Sequence, residues 1–106
     1  MCGIAGFVDP SSKYNGSDVL RTMAHQLAHR GPDDTGIWLN GDLGIGLSHT
    51  RLSIVDLSAG GHQPKESSTG RYIIILNGEI YNYIELRRDL EKRGHVFRTG
   101  TDTETL

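Results

Sequence analysis

The chain has 106 residues, of which 36% are hydrophobic and 23% charged, with a formal net charge of −2. That length suffices for one small domain, and the balance excludes both a membrane-embedded and a compositionally disordered chain. The weak negative charge offers no footprint for nucleic acid or an anionic membrane, and no run approaches the ~18 apolar residues of a membrane span.

Ile4 to Val8 is a short apolar run that predicts a buried strand almost at the N-terminus. Ser17 is a candidate cap for a helix whose Val19, Leu20, Met23, Ala24, Leu27 and Ala28 share one face, with Gly31 and Pro32 as its stop. Thr35–Leu39 and Leu43–His49 flank Asn40-Gly41 and predict a hairpin. In its second strand Leu43, Ile45 and Leu47 alternate with Gly44, Gly46 and Ser48. One face is therefore bulky and the other nearly bare, which suits close approach by a packed layer. Gly60 to Gly70 is loop-like. Tyr72–Leu76 is apolar throughout and predicts a strand covered on both faces, broken by Asn77-Gly78. Asn82 with Glu85 predicts the start of a helix carrying Ile84, Leu86 and Leu90 and closed by Gly94. Thr101 and Glu104 form a T-x-x-E capping box, the start of a further helix that Leu106 leaves too short to stand alone. The expectation is a fragment cut inside an element. Hairpins mixed with helices, without a clean βαβ alternation, predict an α/β or α+β layered domain with largely antiparallel sheets.

Chemistry centres on Cys2, the one cysteine of the chain. A lone thiol forms neither an internal disulfide nor a metal framework, and the N-terminus shows no secretory signal, so a reduced, cytoplasmic setting is expected. If Met1 is removed, Cys2 carries a free α-amine beside its own thiol. The two groups titrate near ~8 and ~8.5, so one residue can supply nucleophile and base. The competing reading is a small, partly buried cysteine without chemistry. Of the histidines at 25, 29, 49, 62 and 95, only His25 and His29 lie four positions apart, without a cysteine or acidic third ligand in sequence. No metal site is expected.

Met1-Cys2-Gly3-Ile4-Ala5-Gly6 resembles the opening of the class II glutamine amidotransferases, which are N-terminal-nucleophile hydrolases. His29-Arg30-Gly31-Pro32-Asp33, Arg51-Leu52-Ser53-Ile54-Val55-Asp56, Gly61-His62-Gln63-Pro64, Asn77-Gly78-Glu79-Ile80-Tyr81-Asn82 and Gly100-Thr101-Asp102-Thr103-Glu104 extend the resemblance, jointly toward the asparagine-synthetase branch. The resemblance implies an α+β fold, a four-layer αββα sandwich with Cys2 on a central strand, of which this chain supplies roughly the first half. It implies a glutaminase half-reaction: Cys2 attacks the side-chain amide of L-glutamine, a thioester forms, ammonia leaves, and water releases glutamate.

The same resemblance assigns the residues. Asn77, through its side-chain amide, and Gly78, through its N–H, make the oxyanion hole. Arg51 holds the substrate α-carboxylate, as a planar guanidinium suits. Leu52, Ile54 and Val55 line the pocket, Glu79 lies near the α-amine, and Asp102 accepts from the α-ammonium. Each has a local alternative: a surface salt bridge for Arg51, a tight turn for Asn77-Gly78, a helix-start carboxylate for Asp102. His29 and Arg30 read as a helix stop near the negative helix end. The implied partners are L-glutamine and a C-terminal synthetase domain of the same chain, with self-association compatible, and neither nucleic acid nor membrane. No cofactor is expected in these residues, and ATP with Mg2+ belongs to the synthetase domain. A glutamine-sensing module without chemistry, or an assembly fragment without a pocket, are the rival functions.

Overall fold

A computed structural model describes every residue of the chain except Ser12 and Val55. The described residues form two compact units, Met1–Leu52 with His62–Asn77, and Ser53–Gly61 with Gly78–Leu106.

The first unit is built on a three-stranded antiparallel sheet of β1 (Gly3–Val8), β2 (Asp34–Asn40) and β3 (Ile45–Arg51) in the order β1-β3-β2. In this sheet β3 is central and β1, which follows Cys2, is an edge strand. Paired residues of an antiparallel ladder share a face. The register Gly3–Thr50–Thr35, Ala5–Ser48–Ile37 and Phe7–Gly46–Leu39 thus defines one face, and Ile4–His49–Gly36, Gly6–Leu47–Trp38 and Val8–Ile45–Asn40 the other.

Helix α1 (Gly16–Gln26) covers the first face with Leu20 and Ala24, the buried apolar residues of the core. The small side chains of β3 make this approach feasible. A Cβ on Gly46 would stand 2.6 Å from the Phe7 ring and 3.0 Å from Leu20, and Ser48 and Thr50 are fully buried there. The bare face expected from the sequence is the one the helix packs on. On the opposite face Ile4 and Val8 remain exposed, while Ile45, Leu47 and Trp38 are half-buried.

Several boundaries differ from the sequence expectation. Asn15, not Ser17, caps α1, its side-chain oxygen accepting from Asp18 N–H at 3.3 Å. The helix ends at Gln26, and a 3₁₀ turn at Ala28–Arg30 carries the chain to Gly31. Gly31 has φ −152°, so it is no left-handed cap. It is small because a Cβ would meet the Thr50 carbonyl at 2.5 Å. The hairpin loop is longer than an Asn-Gly turn: Asn40 Oδ1 accepts from Leu43 N–H at 3.1 Å, and the left-handed residue is Gly44 at φ +65°.

The segment expected as a long, doubly covered strand contributes only β5 (Ile73–Ile74), paired with β4 (Lys65–Glu66). Tyr72 is exposed, and residues 73 to 76 are half-buried. Apolar content alone could not distinguish a buried strand from a short ladder. The Gln63-Pro64 peptide is cis.

In the second unit α2 (Tyr83–Lys92) follows Asn82, whose side chain makes no capping bond, and ends before Gly94 at φ +92°, as expected of a terminal glycine. Arg87 ties this helix down, donating to Thr99 O at 2.6 Å, lying 4.6 Å from the centre of the Phe97 ring and pairing with Glu91 at 3.3 Å. The predicted capping box at Thr101 is replaced by a 3₁₀ turn, Thr103–Thr105, capped by Asp102. Glu104 turns back instead to accept from Arg98 and Thr99 N–H, each at 2.7 Å. No helix among the described residues is long and apolar enough to cross a membrane.

Candidate active site around Cys2

Cys2 is half-buried and its thiol is free. Three backbone and side-chain contacts locate it. Leu52 N–H donates to its Sγ at 3.4 Å, Sγ stands 3.8 Å from Leu52 O, and Arg30 Nε donates to its carbonyl at 3.1 Å. The sulfur is therefore held at the exit of the central strand, one step beyond the Gly3–Thr50 rung. Leu52, predicted as a pocket residue, meets the Cys2 sulfur through its peptide group.

Arg51 ends β3 and is 9% exposed. Its carbonyl accepts from Asp33 N–H at 3.0 Å, and Pro32 bridges it in parallel, so the stretch after α1 is laid along the strand end that presents Cys2 and Leu52.

His49 is 1% exposed and lies on the face of Ile4 and Gly36. Its Nε2 is 3.2 Å from Leu76 O. A carbonyl only accepts, so Nε2 carries the proton in that contact. Burial is the main reason the His49 pKa lies below the ordinary histidine value, with the Arg51 and His62 charges acting in the same direction; the Leu76 carbonyl and Asp34 oppose them without reversing the result. Gln63 Oε1 accepts from Leu76 N–H at 2.6 Å, and His62 Nδ1 pairs with Asp34 Oδ2 at 2.6 Å. Asn77 follows Leu76 directly and is exposed.

Gly78, Glu79, Ile54 and Asp102 belong to the second unit. Gly78, Glu79 and Ile54 are exposed. Both Asp102 oxygens are engaged by backbone, Oδ2 by Ile80 N–H and Oδ1 by Thr103 N–H, each at 2.9 Å. The carboxylate therefore fastens the turn after Glu79 to the 3₁₀ turn, and its remaining lone pairs can still accept from a cation. Val55 lies outside the described residues. Among the described residues no group of three His, Cys, Asp or Glu side chains is arranged to hold a metal.

A profile of the glutamine amidotransferase domain covers residues 1–106. The chain belongs to that family. Over its whole length this amidotransferase domain is 42% identical to asparagine synthetase [glutamine-hydrolyzing] 1 of Bacillus subtilis, of which it covers 17%. It is 39% identical to a putative asparagine synthetase [glutamine-hydrolyzing] 2 of Methanocaldococcus jannaschii and 39% identical to asparagine synthetase [glutamine-hydrolyzing] 1 of Arabidopsis thaliana, covering 23% and 18% of them. The chain thus spans about a fifth of the length of these relatives.

Sequence reasoning missed Arg30 as a contact of Cys2, having read it as a helix-end charge. It also gave no role to His49, read as the end of a predicted strand, or to Gln63, inside the Gly61-His62-Gln63-Pro64 motif.

Proposed function

We propose that this chain performs the glutaminase half-reaction, and that the free, half-buried thiol of Cys2, held at Sγ by Leu52 N–H at 3.4 Å, is the observation that carries the reading. With Met1 removed, the Cys2 α-amine takes the thiol proton and Sγ attacks the side-chain carbonyl carbon of L-glutamine. The oxygen that gains charge is received by the Asn77 amide and the Gly78 N–H, an interaction that typically lowers the barrier by ~2.7–4 kcal/mol per donor. Collapse of the tetrahedral adduct breaks the C–N bond, the proton returns to nitrogen, and ammonia leaves a thioester. Water then hydrolyses the thioester to glutamate and regenerates the thiol.

Arg51 and Asp102 serve as readers of the α-carboxylate and α-ammonium, with Glu79 near the latter and Leu52, Ile54 and Val55 as pocket wall. The four-layer αββα sandwich is the proposed setting of the whole domain. The names of the relatives support coupling of the ammonia to an amidation of asparagine-synthetase type in a domain outside these residues, where the resemblance implies ATP and Mg2+.

The test is mass spectrometry of the protein after treatment with a glutamine-analogue electrophile. A single adduct on Cys2, loss of Met1 and protection by glutamine are expected. Retained Met1 in active protein, or labelling that glutamine does not suppress, refutes the mechanism.

A further inference from the structure

We propose that His49 and Gln63 are positioning residues that clamp the Leu76 peptide and so fix Asn77 for oxyanion stabilisation; the proposal rests on the glutaminase reading above. Leu76 is held at both of its backbone polar groups by side chains from separate segments. His49 Nε2 meets its carbonyl at 3.2 Å, and its N–H donates to Gln63 Oε1 at 2.6 Å. Both side chains are buried, at 1% and 7% exposure, and a buried side chain held by packing has few alternative rotamers. Asn77 itself is exposed and outside any strand. A loop asparagine on the surface has no intrinsic reason to keep one orientation. Its fixed point is the peptide immediately before it.

One rung of the sheet carries the clamp. His49 in β3 is paired with Gly36 in β2. At Gly36 a Cβ would overlap the Gln63 carbonyl oxygen, so the absence of a side chain is what lets the Gln63 backbone rest on the sheet. Across the same rung, Gly36 seats the residue that takes the Leu76 N–H and His49 takes the Leu76 carbonyl. A neutral His49 protonated at Nε2 is the form that donates there. Because the rung also includes Ile4, two residues from Cys2, the nucleophile and the residue before Asn77 are referenced to one piece of sheet.

The role is separable from plain stability because oxyanion donors act in the transition state. Shifting Asn77 lowers kcat and leaves ground-state glutamine binding alone. The experiment uses the full protein that carries these residues, with rates expressed per Cys2 whose labelling by the glutamine-analogue electrophile is suppressed by glutamine, which leaves any unfolded fraction out of the count. The variants are His49→Phe, His49→Gln and Gln63→Met, with Asn77→Ala as reference. His49→Gln retains an N–H donor at the reach of Nε2.

Kinetics with glutamine are paired with inhibition by its γ-aldehyde analogue, which adds the thiol to give a tetrahedral hemithioacetal. For His49→Phe and Gln63→Met, kcat is expected to fall roughly 10- to 100-fold. KM should stay within about threefold, the aldehyde should lose affinity in proportion to kcat, and His49→Gln should recover most of the loss. If Asn77→Ala is impaired but the clamp variants keep wild-type kcat, or lose kcat only in step with a rise in KM, the clamp is refuted while the glutaminase reading stands. If Asn77→Ala itself keeps full kcat and aldehyde affinity, the oxyanion assignment fails and the clamp falls with it.

Discussion

The guanidinium of Arg30 reaches back over the chain to the carbonyl of Cys2 at 3.1 Å, and that bond anchors the residue proposed to present the reacting thiol. Arg30→Ala is expected to lower kcat/KM for glutamine about tenfold while moving stability by less than ~1.5 kcal/mol, the range of one net hydrogen bond. Steady-state kinetics and denaturant melts separate the two effects. Cys2 and Arg51 stand out in the sequence as candidates because their own side chains belong to motifs. Arg30, His49 and Gln63 do not, because their partners are peptide groups of Cys2 and Leu76, and a peptide group leaves no signature in a sequence. The same burial that hides His49 makes it a pH sensor of folding. Its unfolded form takes up a proton near pH 6.5, whereas the folded form does so only at lower pH. Between those values the unfolded state holds more protons, so stability falls as pH drops through that interval and is free of this loss above it. The melting temperature of the wild type is expected to fall more steeply below pH 6.5 than that of His49→Gln, measured by thermal scans across the acid range.

At the level of elements, close packing rather than turn chemistry decided most of the boundaries. Helix α1 lies on Gly46, Ser48 and Thr50 because those residues leave room for Leu20. That alternation was legible in the sequence; which residue capped the helix was not. Asn15 and Ser17 are both good caps, and the choice depends on which one can accept from a first-turn N–H once the helix is docked. Asn15→Ala should therefore cost about 1 kcal/mol and Ser17→Ala far less, read from chemical unfolding. Gly46→Ala forces its Cβ against Phe7 and Leu20, and overpacking of this kind costs typically 1–3 kcal/mol. The short β5 was misread because Ile73, Ile74, Ile75 and Leu76 look like a long strand, whereas Leu76 gives its N–H and carbonyl to side chains instead of a ladder.

Taken as a molecule, the described residues bury little apolar material: Leu20 and Ala24 make the buried apolar core, while Ile4 and Val8 stay 46% and 71% exposed on the other sheet face. A polypeptide of these residues expressed alone is expected to bind an apolar dye and to self-associate, tested by dye fluorescence and sedimentation. The α+β class and the antiparallel pairing were readable from the hairpin and helix patterns. The division at Asn77 and Gly78 was not, since an Asn-Gly pair after an apolar run reads as a turn wherever it occurs.

Gly36 has a consequence at the level of the gene. Every single-base missense change in a glycine codon installs a residue with a Cβ, and at this position any Cβ overlaps the Gln63 carbonyl oxygen. No conservative neighbour exists there for a drifting lineage to sample, so in a saturation library selected for glutamine-dependent growth the codon for Gly36 should tolerate synonymous changes alone.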